Sequence, residues 1–512
     1  MSKGRGTAKG VLFNWGSLAI SFLVAFFLSP FIVHRLGVVA YGVWALVVGI
    51  TSYMGLLDFG LRGAVIRFVS RYHPVGNHAE SSEAASAALW LRQWICLAVI
   101  FLSLLFSLLI NRLFHIPPEL QMAARWAILF SGLSFVVTLY FGVFGGVLAA
   151  LHRFDLISGV SIGQTVFRSG GVIWLLYHGH GILALAIWEL SVVLAGNLIQ
   201  TWLCFRVYPE LKVFFRSPGK KVLKDFAGYS FWVFLQHIFG QIIYYTDNLV
   251  VGAFVSVSAV TYYSISGSLI EYLRTIVASL TVTFLPLASN FEASGEYEKL
   301  RGLLRQGTRI AILIAWPIQV ALLFRGETFI RLWMGAQYEH ISGRVLQILL
   351  LSQLFTVANS TSINITLGLA KHRRTTYWAA GEAAANFILS IFLARRIGTY
   401  GVAVGTVIPS LIVHLFLWPH YICKIVGVSV KEHLLQSWLK PILAVVPFGI
   451  ACYLTDRYWP SDRLIGFFLQ VIAILPIYVA TVLLGFRKDI MDQLRAHTKW
   501  FARPAVTAGE TD

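Results

Sequence analysis

About fourteen apolar stretches, each roughly 16 to 30 residues long, follow one another between residues 11 and 486 with little between them. A helix needs about 20 apolar residues to cross about 30 Å of hydrocarbon, so the sequence predicts an all-α polytopic membrane protein of about 14 transmembrane helices. The spans read as 11–33, 40–60, 85–110, 123–151, 156–177, 181–204, 226–255, 259–287, 308–323, 345–369, 376–393, 401–423, 439–454 and 464–486. What remains is too short for a soluble catalytic domain.

Charged residues make up 12% of the chain, against about 25% in a soluble domain. The excess of 41 Lys and Arg over 23 Asp and Glu would point to nucleic acid in a soluble protein. Here the basic residues gather in particular loops, as membrane topology requires, and no nucleic-acid partner is expected. The N-terminus carries Lys3, Arg5 and Lys9, and the sixth loop Arg206, Lys212, Arg216, Lys220, Lys221 and Lys224. The tenth loop carries Lys371, Arg373 and Arg374, and the tail Arg487, Lys488, Arg495, Lys499 and Arg503. This asymmetry predicts cytoplasmic termini, with Arg395 and Arg396 running against the pattern. The first apolar run exceeds the 7 to 15 or so residues of a signal peptide and lacks a small-residue cleavage site, which predicts an uncleaved span. Cys96, Cys204, Cys423 and Cys452 lie in or at the ends of spans without CxxC spacing, so neither disulfides nor a metal site is expected.

The polar interval 207–225 contains Pro209, Ser217-Pro218-Gly219 and a basic cluster, the composition of a linker. It divides the chain into an N-terminal lobe (1–206, six spans), a basic cytoplasmic linker (207–225), a C-terminal lobe (226–425, six spans), two added spans (426–486) and a cytoplasmic tail (487–512). Two six-helix lobes that each begin and end on one side are parallel repeats related by an axis along the membrane normal. Short amphipathic pieces are expected at the interfaces near Ile116-Pro117-Pro118-Glu119 and over 489–501, where Ile490, Met491, Leu494, Trp500 and Phe501 oppose Arg495 and Lys499.

Charges inside spans carry the most information, because each costs about 2.5 to 3.5 kcal/mol at mid-bilayer on insertion scales and needs a partner or water. Asp58 and Arg62 stand at i, i+4 near the end of the second span, as a local ion pair or as part of a cavity. Arg168 and Glu189 face each other across one hairpin. Asp247 has no opposite charge nearby in sequence, Glu271 and Arg274 stand one turn apart, Arg309 opens the ninth span, and Glu382 and Asn386 share a helix face. A polar cavity between the lobes accounts for this spread better than scattered ion pairs. Arg62, Arg168, Arg274 and Arg309 suit a phosphate or diphosphate there, since guanidinium offers planar, paired donors. Asp58, Glu189, Asp247, Glu271, Glu382 and Asn386 are the candidates for coupling or gating.

The run Pro30-Phe31-Ile32-Val33-His34-Arg35-Leu36-Gly37, with Ala40-Tyr41-Gly42-Val43-Trp44 and Gly55-Leu56-Leu57-Asp58-Phe59-Gly60, resembles the opening of the polysaccharide transporter family. These are flippases for lipid-linked oligosaccharides within the multidrug/oligosaccharidyl-lipid/polysaccharide exporter superfamily. Thr246-Asp247-Asn248-Leu249-Val250-Val251-Gly252, Phe284-Leu285-Pro286, Arg331-Leu332-Trp333-Met334-Gly335-Ala336-Gln337-Tyr338, Glu382 to Asn386 and Gly398 to Gly401 extend the likeness over about residues 10 to 425. The resemblance implies two lobes opening alternately, a polyprenyl-diphosphate oligosaccharide as cargo, and surface polysaccharide (O-antigen, capsule or exopolysaccharide) as the product. It implies further a bacterial cytoplasmic membrane location, membrane lipids and polymerase or export proteins as partners, a monomer, no cofactor, and H+ or Na+ as coupling ion with Asp247 and Glu382 as its carboxylates. Span one holds no Lys or Arg, where some relatives place a cargo-binding base.

A multidrug or organic-cation antiporter of the same superfamily is the competing transporter reading, although its usual twelve spans and acidic lobe fit less well. A membrane polysaccharide polymerase would need a large outer loop. The longest expected here, near Arg325 to Arg344, has about 20 residues, and its Glu327 and Glu339 read as surface charges. His178-Gly179-His180 reads as a solvated turn, and no glycine-rich phosphate loop occurs.

Overall fold

The computed structural model describes residues 2–58, 60–214 and 220–486, with backbone alone over 2–15, 17–19, 220–234 and 237. The N-terminal basic side chains, Arg216 and the three linker lysines after it, the basic tail and the amphipathic stretch 489–501 therefore lie outside what is described.

The described chain is helical. It opens with α1 (Ser2–Met54), α2 (Leu61–Tyr72), α3 (His78–Leu113), α4 (Pro118–Ala150), α5 (Phe154–Tyr177) and α6 (Ile182–Val207). It continues with α7 (Lys220–Phe254), α8 (Val257–Thr281), α9 (Phe284–Ala293), α10 (Tyr297–Met334), α11 (Glu339–Ala358) and α12 (Ser360–Gly368). The last elements are α13 (Arg373–Ile412), α14 (Trp418–Val426), α15 (Val430–His433), α16 (Lys440–Tyr458) and α17 (Leu464–Gly485), with π-helical turns at Val413–Leu417 and Leu434–Leu439. Local chemistry sets the ends. Asn77 caps α3 by accepting from the Glu80 amide at 3.2 Å, and Pro118 starts α4 where its missing N–H is harmless. Two long helices are interrupted at glycines of positive φ: α1 at Gly37 (φ 79°) and α13 at Gly398 (φ 61°).

Ten helical stretches among the described residues are long and apolar enough to cross a membrane. The distribution of side chains is that of a protein in lipid. Phe27, Phe101, Phe167 and Phe416 point outward, while Ser, Thr, Asn and Gln side chains fill much of the interior.

The expected 20-residue loop from Arg325 to Arg344 is not there. Helix α10 runs to Met334, and Gly335 with a 3-10 turn (Ala336–Tyr338) leads directly into α11. The charges that read as a loop are paired instead: Glu327 with Arg344 at 3.5 Å and His340 at 3.3 Å, and Arg331 with Glu339 at 3.6 Å. The break at residues 114–117 is also plain coil before Pro118 and not an amphipathic piece.

The chain divides into two compact units. The first comprises Met1–Tyr272 and His372–Ser410. Its core includes Val65, Val69, Leu89, Val143, Val147 and Leu148, where α2, α3 and α4 meet. The second comprises Leu273–Lys371 and Leu411–Asp512. There Ile312, Trp316, Val357, Phe448 and Cys452 join α10, α11 and α16.

Within the first unit the two halves of α13 pack at very short range. Gly401 and Gly405 form a small-xxx-small pair on the second half, and a Cβ on Gly405 would fall 2.6 Å from the Ser390 amide nitrogen and 2.7 Å from its Cα. Backbone atoms cannot yield as a side-chain tip does. Gly405→Val is therefore expected to cost about 1–3 kcal/mol, seen as a lower thermal midpoint of detergent-purified protein. Gly240→Ala, with nothing within 4 Å of its Cβ position, serves as the neutral comparison.

Candidate functional site

Asp58 ends a 3-10 turn (Gly55–Asp58), and Gly60 in the left-handed region (φ 71°) redirects the chain before α2 begins at Leu61. Asp58 and Arg62 therefore do not share a helix face, because their spacing crosses a break. Asp58 is paired instead with Arg92 of α3, whose Nη2 donates to Oδ1 at 2.6 Å. Arg92 is 2% exposed and its Nη1 donates to the Leu139 carbonyl of α4. Arg62 is a like-charged neighbour of Arg92 and lies against Gly145 and Gly146, where a Cβ on Gly146 would sit 3.6 Å from the arginine's Cγ. The two glycines make room for that stem.

The predicted hairpin pair is present. Arg168 of α5 donates from Nε and Nη2 to the two carboxylate oxygens of Glu189 on α6, at 2.6 and 2.7 Å. This is the forked geometry that only arginine makes, and both side chains keep substantial exposure, at 41% and 30%.

Asp247 on α7 is 4% exposed and has no basic partner among the described residues. Its Oδ2 accepts from the Tyr263 hydroxyl of α8 at 2.5 Å and the Thr406 hydroxyl of α13 at 2.8 Å, while Oδ1 has no partner. The adjacent Thr246 is bonded to the Tyr53 hydroxyl of α1. One turn beyond Thr406, Ser410 hydrogen-bonds the buried Glu382. Glu382 and Asn386 do share a face of α13, and both amide atoms of the fully buried Asn386 are unpartnered. Two carboxylates, an unsatisfied amide and a row of hydroxyls thus gather in one region, an arrangement able to hold a proton or a small cation.

Glu271 and Arg274 stand one turn apart on α8, both half-buried. Arg309 in the second unit donates from Nε to the Gln436 carbonyl at 2.7 Å and covers the Phe486 ring at 5.5 Å. That carbonyl belongs to the π-helical turn, so Arg309 serves the local backbone.

Two further arginines are buried, at positions where the sequence pattern predicts no site. Arg92 lies within the expected third span and was detectable as a lone charge in an apolar run. Arg325 stands where the sequence predicts a loop. It is fully buried in α10, with Nε 3.2 Å from Asp456 of α16, Nη2 2.5 Å from Gln470 of α17 and its guanidinium 4.5 Å from the Phe467 ring.

Removing one partner of a buried pair strands the other, at about 3–5 kcal/mol. Asp58 keeps 32% exposure, so Arg92→Ala is expected to cost less, about 1–3 kcal/mol, lowering the thermal midpoint and the detergent-extractable yield. Arg62→Ala, at an exposed position, leaves both nearly unchanged.

The chain matches the family described as "Polysaccharide biosynthesis protein" over residues 32–343. It is 25% identical over 473 residues to the "Uncharacterized membrane protein EpsK" of Bacillus subtilis, covering 86% of this chain and 88% of that one. It is 21% identical over 411 residues to the "Putative O-antigen transporter" of Shigella flexneri, covering 78% and 93%. Among solved structures, "Lipid II flippase MurJ, inward closed conformation" superposes with a TM-score of 0.69 at 19% identity, over 94% of this chain and all of that one. An inward-facing multidrug resistance MATE family transporter of the MOP superfamily gives 0.65 at 15% identity, over 81% and 98%. These last likenesses establish the fold. With a family match that runs from α1 into α11, the chain belongs to the polysaccharide biosynthesis protein family.

Proposed function

We propose that this protein is a flippase, a transporter and not an enzyme, that carries polyprenyl-diphosphate-linked oligosaccharide across the cytoplasmic membrane for surface polysaccharide synthesis. The observation that carries the reading is family membership along more than half the chain, joined to relatives named as an O-antigen transporter and as probable flippases. Charge inside the helices gives it a physical basis. A diphosphate cannot enter hydrocarbon alone, and guanidinium groups held by protein offer paired donors that stay charged when dehydrated.

In this reading the chain has fourteen spans. The kinks at Gly37 and Gly398 each divide one long helical run into two spans, and α5 and α7 join the ten apolar stretches. Spans 1–6 and 7–12 form two lobes as parallel repeats, joined through 207–225, with two further spans at 426–486 and both termini cytoplasmic. Arg62, Arg168 and Arg274 contact the diphosphate and glycan while the polyprenyl tail stays in lipid. Arg309 is the weaker member of that set, because Gln436 and Phe486 already engage it. Asp58 and Glu189 gate by holding arginines, Glu271 acts beside Arg274, and Asp247, Glu382 and Asn386 take up H+ or Na+. The protein works as a monomer and passes its cargo to a polymerase or export system.

Deleting the gene in its native host tests the function. Lipid-linked repeat units are expected to accumulate on the cytoplasmic face as surface polymer is lost. Unchanged levels of both, with altered sensitivity to cationic drugs, would instead favour a multidrug antiporter, which shares the fold. Among variants, Arg62→Ala, Arg168→Ala and Arg274→Ala are expected to insert normally yet export less, and Arg168→Lys to recover only part of the loss because it forfeits the fork. Complementation of the deletion strain, scored as surface polysaccharide against membrane abundance, reads each outcome. Normal polymer in all three alanine variants contradicts the assignment.

A further inference from the structure

In the second unit, a cavity of about 190 Å³ lies between the start of α10 and the segment from Gly427 to Ser437. Gly427 (φ 72°) ends α14, Ser429 opens α15, and the helix then passes through the π-helical turn Leu434–Leu439 before α16. Such turns add a residue to the helix and often mark functional sites. The cavity is lined by Arg301, Arg305, Glu298, Glu432, His433 and Ser437.

Two of these side chains are buried without partners. Ser437 Oγ is fully enclosed and His433 is 3% exposed, and neither the hydroxyl nor His433 Nε2 has a hydrogen bond. Native interiors rarely leave such groups unmet, so a missing polar ligand is the natural reading. The other charges define that ligand. Arg301 is committed to Glu298 at 2.6 Å and to the Val426 carbonyl at 3.2 Å. Arg305 uses Nη1 on Gln436 at 3.1 Å, leaving Nη2 unused among the described residues. Glu432 is exposed at the rim with no cationic partner among them. A bare anion would satisfy Arg305, His433 and Ser437 but would face Glu432. A group that carries its own cation beside the phosphate uses all four.

We propose that this cavity binds the phosphoethanolamine headgroup of a membrane phospholipid, with the phosphate at Arg305, His433 and Ser437 and the ammonium at Glu432. Leu439 and Leu443, exposed on the following turns, offer apolar surface to the acyl chains. A bound lipid of this kind would staple α10 to the segment leading into α16. The site is independent of the cargo reading above, because none of its residues belongs to the proposed cargo or coupling groups.

The test is native mass spectrometry of the full-length protein in detergent, supplied with dioleoylphosphatidylethanolamine, dioleoylphosphatidylglycerol or inorganic phosphate. Wild type is expected to retain one phosphatidylethanolamine. Arg305→Gln and Ser437→Ala should each bind it about tenfold more weakly, the scale of losing a hydrogen bond to a charged group. Glu432→Gln should abolish the preference for phosphatidylethanolamine over phosphatidylglycerol. Ser437→Ala also removes a buried unmet hydroxyl, so its melting temperature in lipid-free detergent should equal or exceed that of wild type, which separates lost binding from misfolding. Equal retention by all variants overturns the proposal, as does equal wild-type affinity for both lipids. Binding of inorganic phosphate with the same variant dependence and no lipid retention assigns the cavity to free phosphate and overturns it too.

Discussion

Hydrocarbon offers no hydrogen bonds, and that single fact organises this protein. Every peptide group in a span must be satisfied within its own helix, and every buried charge must find a partner in the protein. The helices follow from the first demand. The second explains why α3 is joined to the Asp58 turn and α4 through Arg92, α5 to α6 through Arg168 and Glu189, and α10 to α16 and α17 through Arg325. Apolar packing distinguishes helix from lipid poorly, so these polar contacts and the close glycine approach within α13 fix which helices are neighbours.

The polar groups then sort by how fully they are satisfied. Arg92 is almost enclosed; its two terminal nitrogens meet Asp58 and a backbone carbonyl, while its buried Nε has no partner. Arg168 and Glu189 make a close, forked pair yet remain partly exposed. Asp247 Oδ1 and the Asn386 amide are buried and unmet.

Much of this was legible in the sequence. Long apolar runs predict an all-helical polytopic chain, hairpin proximity points to Arg168 with Glu189, and i, i+4 spacing puts Glu382 and Asn386 on one face. What escaped depended on tertiary geometry. The Asp58–Arg92 pair joins residues 34 apart, and the positive φ of Gly60 breaks the i, i+4 register between Asp58 and Arg62 that spacing rules assume. Arg325 stands among Glu327, Arg331 and Glu339, a charge density that predicts a loop and cannot reveal that Asp456 and Gln470 come to meet it. Likewise the hydroxyls that serve Asp247 come from Tyr263 and Thr406, residue types too common to signal anything.

The central claim is that this bundle moves a diphosphate-linked glycan from one leaflet to the other. Purified protein reconstituted in liposomes with a polyprenyl-diphosphate oligosaccharide tests it directly, with a membrane-impermeant glycosidase reporting which leaflet holds the glycan. The account predicts that liposomes containing the protein equilibrate the glycan between leaflets, that liposomes without protein do not, and that Arg168→Ala slows the exchange. Identical glycan accessibility with and without the protein, under imposed H+ and Na+ gradients as well as without them, would contradict it.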